Sequence, residues 1–580
     1  MNENVHLSRR QFLKQIAGIS GIGMTLSISG LITNKLGANS FFSEKNFRRD
    51  ERPNVLFILV DDHVVESLRQ GALMPNIRRM YEKGVTFTRA YCVTSVCTPA
   101  RYNCLTGRYS SRCQNEIFRR PSAGLFGGMS FEGQTWVHWN CVAPPGEKSI
   151  ANILRNEGYA TGIIGKLGRH FLSDRIKEVT DPYERQKIFA EDLKNAGFDY
   201  AGAISVSNLH ADVGDCHNPE WQVQCAFEFF EKNKDRPFYL YFATHLLHMP
   251  QPSKFLKVDP RKAYECMILD EVPKVQPSRK SVLQRVKKAG LPEKMAGATW
   301  LDDSIGALFN KLEELGVAEN TMVIFLQDNG HNGGKASLYE GGINISPACI
   351  YWPRGVKNPG RECDSLVENV DFVATILDVC GITPPADYKI DGVSLLPILN
   401  GKKERVRDSI YCEIGYTRAI VTERWKYLAF RVPPSRQLND EQKEIYRKEV
   451  EKDKRGVVDP QLRVTHLHRK IGGCNSERNE ALKHYRKNFF DPDQLYDLKN
   501  DPNEKNNLAN DPQYTEILSN LKKKLREYLL QLPGTFGEFK TIDDLTPNEK
   551  QVILKAQKEI QLANQISKRK KKKNNRKKKF

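Results

Sequence analysis

The apolar residues of this chain fall into short unbroken runs that alternate with stretches of helical spacing. Val55-Leu56-Phe57-Ile58-Leu59-Val60 is apolar at every position, as expected of a strand buried on both faces, and it stops abruptly at Asp61-Asp62-His63. Residues 75–83 follow as a helix, with Pro75 at its start, Ile77, Met80 and Tyr81 on one face and Gly84 as its stop. The same grammar then repeats. A helix over 149–157, turning Ile150, Ile153 and Leu154 inward, precedes a strand over 160–165 that runs into Lys166. A strand over 238–243 leads to Thr244-His245-Leu246-Leu247-His248-Met249-Pro250. A helix over 295–315 spaces Leu301, Ile305, Leu308, Leu312 and Leu315 for burial, and the β-rich run 321–326 ends in Gln327-Asp328-Asn329-Gly330-His331. Strands alternating with helices predict a parallel α/β sheet. Ligands of such sheets gather outside the carboxyl ends of the strands, and four of these strands end in charged or imidazole side chains.

After Pro397-Ile398-Leu399-Asn400-Gly401 the pattern changes. Residues 407–432 hold short β-like segments, 437–487 are highly charged with little periodicity, and Leu495 to Pro502 is turn-rich. Residues 514–530 read as an amphipathic helix, with Ile517, Leu518, Leu521, Leu525 and Leu529 on one side. The expected organisation is therefore an α/β domain over 52–400, a smaller α+β domain over 405–535 and a charged tail over 536–580. A Gly- and aromatic-rich stretch, 119–145, reads as a long loop within the first domain.

Charge adds a partner class. The chain carries +19 over 580 residues, but ten Lys or Arg between Lys568 and Lys579 leave only +9 for the rest. Such a run is most simply a solvated tail, able to attract a polyanion or a membrane surface. No aromatics interleave with it and no nucleic-acid module is present, so nucleic acid is not expected as a partner. Thirteen Cys without a CxxC pair argue against a zinc ribbon or a disulfide scaffold. At the other end, Ser8-Arg9-Arg10-Gln11-Phe12-Leu13-Lys14 precedes a weakly apolar Gly/Ser-rich run over 16–32. This resembles a twin-arginine export signal, with an ordinary secretory signal as the plainer alternative. Residues 1–40 are expected to address the protein to the periplasm or beyond, through the twin-arginine translocase.

Candidate chemistry centres on Cys97-Thr98-Pro99-Ala100-Arg101, continuing to Leu105-Thr106-Gly107-Arg108. Pro99 suits a first helical turn, Gly107 supplies a stop, and Arg101 lies four residues from Cys97, on the same face. An anion over Cys97 would meet free backbone N–H groups, the positive dipole end and a guanidinium; a buried Cys at an ordinary helix start is the alternative. Asp61, Asp62, Asp328 and Asn329 are hard oxygen donors at two strand ends. They suit Ca²⁺ or Mg²⁺ rather than zinc, with Ca²⁺ favoured, unless they merely cap the following helices. A cationic set, Arg101, Lys166, His170, His248 and Lys335, would suit a substrate with several anionic oxygens.

In order along the chain, residues 53–62, Pro75-Asn76-Ile77, Cys97-x-Pro99-x-Arg101 with Leu105-Thr106-Gly107-Arg108, Gly165-Lys166, His248-x-Pro250, Asp328-Asn329-Gly330, Lys335 to Gly342 and Leu495 to Leu508 resemble the motifs of the type I sulfatases. The resemblance covers about 52–510. It implies an alkaline-phosphatase-like α/β sheet flanked by helices, followed by a smaller C-terminal domain with a short antiparallel sheet. It also implies that Cys97 is oxidised to formylglycine by a formylglycine-generating enzyme, and that Asp61, Asp62, Asp328, Asn329 and the modified Cys97 hold one Ca²⁺. The hydrated aldehyde would attack sulfur with one hydroxyl and expel sulfate through the other, which a thiolate could not do. Arg101 and Lys166 would stabilise the diol, while His248 and Lys335 would bind sulfate and protonate the leaving oxygen. Many family members carry a His two residues after the Lys of Gly-Lys; here that position is Gly168, so His170 is expected to supply the imidazole. The implied activity is hydrolysis of a sulfuric ester, with a sulfated polysaccharide or oligosaccharide as expected substrate. A phosphonate or phosphate monoester hydrolase, or an inactive sulfated-glycan-binding protein, are the rivals.

Overall fold

The computed structural model describes residues 52–61, 64–119, 134–206, 208–209, 214–330, 335–433 and 488–537, with positions 440, 441, 444, 547 and 551. The export signal, Asp62, most of the 437–487 tract and the basic tail lie outside these residues, as does 120–133 of the expected long loop.

Fourteen strands are described: β1 Asn54–Val60, β2 Val85–Phe87, β3 Ala90–Tyr91, β4 Ala160–Lys166, β5 Tyr200–Ser205, β6 Phe238–Ala243, β7 Thr321–Gln327, β8 Ala348–Tyr351, β9 Arg361–Cys363, β10 Val367–Glu368, β11 Ser409–Ile414, β12 Thr417–Thr422, β13 Trp425–Phe430 and β14 Asp493–Asp497. Eight of them form one sheet in the order β5-β4-β6-β1-β7-β8-β2-β9. From β5 to β7 every neighbour is parallel, as expected. Beyond β7 the sheet is mixed: β8 runs antiparallel to both β7 and β2, and β2 pairs parallel with β9. These outer strands are three or four residues long, too short to carry a period of their own, so the sequence pattern registered only the parallel half.

Both faces of the sheet are covered. Val55, Phe57 and Leu59 of β1 enter one apolar core while Leu56, Ile58 and Val60 enter the other, and β6 and β7 divide in the same way. Every β1 residue is buried, which is why its sequence does not alternate. The helices that matter for the site are α1 Pro75–Lys83, α2 Cys97–Thr106, α3 Pro219–Asn233, α4 Ala296–Glu314, α5 Asn369–Val379 and α6 Thr515–Leu529. α1 buries Ile77, Met80 and Tyr81 as expected. It is tied to α4 by Asp302, whose carboxylate accepts from the Asn76 and Ile77 N–H groups at 3.1 and 2.8 Å, in place of a side-chain N-cap.

β11-β12-β13-β14 form a separate antiparallel sheet. Tyr411, Ile420, Tyr427 and Leu495 pack on Leu521 and Leu525 of α6, with Ile517, Leu518 and Leu529 around them. The Leu495 stretch, expected as turn, opens as strand β14: its ladder to β13, from Asp493↔Ala429 to Asp497↔Trp425, is long-range and leaves no local signature. Among the described residues no helix is long and apolar enough to cross a membrane.

Candidate active site

β4, β6, β1 and β7 are consecutive in the sheet and mutually parallel, so their carboxyl ends share one edge. That edge brings Lys166, the 244–248 loop, Asp61 and Asp328 together. α2 adds Cys97 from the side. Its start has no side-chain cap, leaving the first-turn N–H groups facing outward from the dipole's positive end. Its stop is Gly107, in the left-handed region at φ 68, whose N–H returns to the Asn103 carbonyl at 2.8 Å. The helix is buried on nearly all sides, against α5 among others, where Asn369 donates to the Ala100 carbonyl at 3.4 Å.

The contacts are close. Cys97 Sγ lies 3.4 Å from Asp61 Oδ1, and Asn329 Nδ2 lies 3.6 Å from the same sulfur. Arg101, fully buried, donates from Nη2 to Asp328 Oδ2 at 3.1 Å, from Nη1 to the Lys166 carbonyl at 3.1 Å, and stands 3.8 Å from Asp61 Oδ2. Lys166 Nζ bonds Asp61 Oδ2 and the Asn208 Oδ1, the latter at 2.7 Å. Lys166 is aimed by a bulge: the β4–β5 register shifts between Ile164 and Lys166, with Gly165 at φ 92. A Cβ on Gly165 would sit 2.0 Å from the Ala243 carbonyl oxygen, so only glycine fits.

The electrostatics follow from that crowding. Burial alone would raise the Asp61 carboxyl, but Lys166, His248, Arg101 and Lys335 overcome it and hold it well below the usual carboxylate range. Burial pushes the Cys97 thiol well up, with Asp328 and Asp61 pushing the same way and Lys335 and Lys166 opposing. His248 is half-buried, and a ring nitrogen lies within 4.8 Å of both an Asp61 oxygen and the Cys97 sulfur. Lys335 is buried and close enough to act on both.

The donor set fits a hard cation. Asn329 Oδ1 is a buried acceptor without a hydrogen-bond donor, beside the Asp328 and Asp61 carboxylates. An oxygen left unpaired among carboxylates is what an oxygen-ligated divalent ion would satisfy.

Of the expected site residues, the structure brings Asp61, Cys97, Arg101, Lys166, Asp328, Asn329, His248 and Lys335 together; Asp62 lies outside the described residues. His170 is corrected. Its Nδ1 accepts from the Ala143 N–H at 3.0 Å and its Nε2 pairs with the Thr98 carbonyl at 2.9 Å. Both nitrogens are spent on backbone, and burial holds the imidazole down to about 4, hence neutral. It braces the first turn of α2 rather than facing a substrate. Gly168 sits at φ 75, 3.6 Å by its would-be Cβ from the Arg101 and His170 side chains. Asn208, the second partner of Lys166, had no sequence signal: a lone exposed Asn is indistinguishable from any loop residue.

An α/β sheet with acids and cations at the carboxyl ends of its central parallel strands is an arrangement suited to holding an anionic ester. The Sulfatase family model matches residues 53–382, more than half of the chain, and the chain belongs to that family: it is a sulfuric ester hydrolase. A second model, described as the C-terminal region of N-sulphoglucosamine sulphohydrolase, matches 334–454 and 461–531. The chain is similar to an N-acetylgalactosamine-6-O-sulfatase of Bacteroides thetaiotaomicron, at 26% identity over 68% of this chain and 85% of that protein. A solved structure from work on glycosaminoglycan metabolism by Bacteroides thetaiotaomicron shares the fold, with TM-score 0.53 and 22% identity over 82% of this chain and 99% of the other. So does a phosphonate monoester hydrolase of Agrobacterium radiobacter, with TM-score 0.51 and 16% identity over 83% and 96%.

Proposed function

We propose that this sulfatase is exported, removes sulfate from a sulfated glycan, and works through a formylglycine derived from Cys97 beside one Ca²⁺. The observation that carries the reading is the convergence on the Cys97 sulfur of Asp61, Asn329 and His248, backed by Arg101, Lys166 and Lys335. Asp61, Asp62, Asp328 and Asn329 would hold the ion, which when bound screens an anionic ester and orients it. The converted side chain would supply an oxygen nucleophile at a helix start, where the α2 dipole favours negative charge. Arg101 and Lys166 hold that position by their ties to Asp61 and Asp328. Lys335 and His248 bind the sulfate oxygens and deliver a proton to the departing ester oxygen.

The glycan substrate is supported by the name of the B. thetaiotaomicron relative and by a chain that stays basic even without its tail. The test has three parts. Peptide mass spectrometry of active enzyme should show Cys97 as the aldehyde, and unmodified thiol in fully active protein would overturn that role. Elemental analysis should find calcium at about one per chain, as one site of this donor number demands. Paired sulfate and phosphate esters of the same leaving group should separate a sulfatase, with sulfate preferred, from a phosphonate or phosphate hydrolase.

A further inference from the structure

The Leu495–Leu508 motif lies far along the chain from the site and has no part in the chemistry above, yet it grips the segment that carries Lys335. That segment needs gripping. Ala336, the next residue, is in the left-handed region at φ 63, a conformation that is strained for a non-glycine residue and persists only where the surroundings impose it. One side is fixed by the Ala336 N–H, which donates to the Ser95 carbonyl at 2.9 Å, two residues before Cys97. Residues 336–339 also border a cavity that 414–417, Leu428, Phe430, Phe489 and Gln494 of the C-terminal domain line from the other side.

Polar contacts from the C-terminal domain hold the segment. Tyr339 and Tyr496 both donate their hydroxyls to Gln494 Oε1 at 2.8 Å. The Glu340 N–H donates to Glu504 Oε2 at 2.6 Å. Glu504 Oε1 pairs with Lys426 Nζ at 2.8 Å, and the same ammonium reaches Glu340 Oε1 at 3.4 Å. Glu504 and Lys426 are both fully buried. A buried carboxylate and ammonium are costly to install and costlier to leave half-paired, so this pair makes a stiff, all-or-none anchor at Glu340, five residues from Lys335.

We infer that Glu504, with Lys426, is a positioning residue: it fixes the backbone of 336–340 and thereby sets the Lys335 ammonium against Asp61 and Cys97. The inference rests on the proposed role of Lys335 for its kinetic consequence, but not for its structural one. The experiment therefore has two arms. In the first, full-length wild type and Glu504→Ala are labelled with acetic anhydride and acetylation of each lysine is followed by mass spectrometry. Lys335, 6% exposed in the structure, should label at least about fivefold faster in the variant while lysines of the α/β domain outside 335–344 keep their rates. An unchanged Lys335 rate overturns the inference, whether or not the enzyme turns over, and so does a rise shared by all lysines. In the second arm, kcat/KM is measured on a sugar sulfate for Glu504→Ala, Lys335→Ala and the double variant. Glu504→Ala should lose about 10- to 100-fold alone, yet less than twofold when Lys335 is already gone; additive losses overturn the inference. Absence of sulfate release by matured wild type would instead sink the functional reading and leave the labelling outcome standing. Tyr339→Phe, which deletes one hydrogen bond and no buried charge, repeats both arms should Glu504→Ala fail to fold, with smaller shifts of the same sign expected.

Discussion

Around Cys97, residues of the same type take opposite parts according to what they touch. Cys97 faces Asp61 and Asn329 at a helix mouth, so truncation there removes chemistry and little else. Cys97→Ala should cut sulfate release by about 10³-fold or more while changing unfolding free energy by about 1 kcal/mol or less; retained turnover would unseat it as the nucleophile. His170 makes the contrasting case. Its ring is neutral in the folded chain because burial strips the charged form of water, with the Arg101 guanidinium adding to the effect, and its pKa falls from 6.5 to about 4. Below pH 6.5 the unfolded chain therefore takes a proton that the folded chain refuses. The stability it contributes is complete above that pH and drains away on acidification toward pH 4, by about 3 kcal/mol in all. Urea unfolding at pH 7 and pH 4.5 should show a loss about 2 kcal/mol larger in wild type than in His170→Asn, and equal losses would refute the account. Residue type was enough to mark Asp61, Lys166 and Asp328, because each ends a strand whose apolar run is plain in the sequence. It was not enough for His170, because whether an imidazole meets a substrate or a carbonyl depends on Thr98 and Ala143, brought in from two other segments.

The elements that place these residues were legible in proportion to how local their causes are. β1, β6 and β7 announce themselves because burial on both faces leaves an unbroken apolar run through the strand interior, and α1 and α4 because one face repeats at helical spacing. β2, β8 and β9, with three or four residues each, exist through pairing with one another and have no local cause to read. β4 sits between these extremes. Its apolar run was visible, but the bulge that turns Lys166 inward depends on the close pass of Gly165 against Ala243, on the neighbouring strand. Gly165→Ala should thus do two things together: destabilise the fold by about 3 kcal/mol or more, since both the positive φ and the 2.0 Å approach are violated, and misdirect Lys166. Denaturant melts and activity on the surviving folded fraction check both, and a variant of normal stability would show that the strand can re-register.

At the scale of the whole molecule, segments from Asp61 to Lys335 meet in one place, with Glu504 behind them, and the chain carries ten Lys or Arg between Lys568 and Lys579. If the run from Lys568 to Lys579 draws the enzyme to a sulfated polymer, the attraction is long-range and screened by salt. Deleting 568–580 should raise KM for the polymer at low salt and leave kcat on a small aryl sulfate alone. The difference should shrink once the Debye length drops below about 10 Å; equal polymer kinetics at low salt would make the tail a bystander. Replacing Arg9 and Arg10 by Lys should hold the protein in the cytoplasm, and undiminished export would point to an ordinary secretory signal. One feature of the site also sets a calendar for the protein's biogenesis. The Cys97 side chain is 8% exposed, sunk between Asp61, Asn329 and the body of α2, where a second enzyme's catalytic groups cannot enclose it. Its proposed conversion must then happen on a nascent or open chain, before β1 and β7 close around it. A translocase that accepts folded cargo would carry out only what was already finished, so a chain that folds too early would be sealed for good with an unconverted thiol.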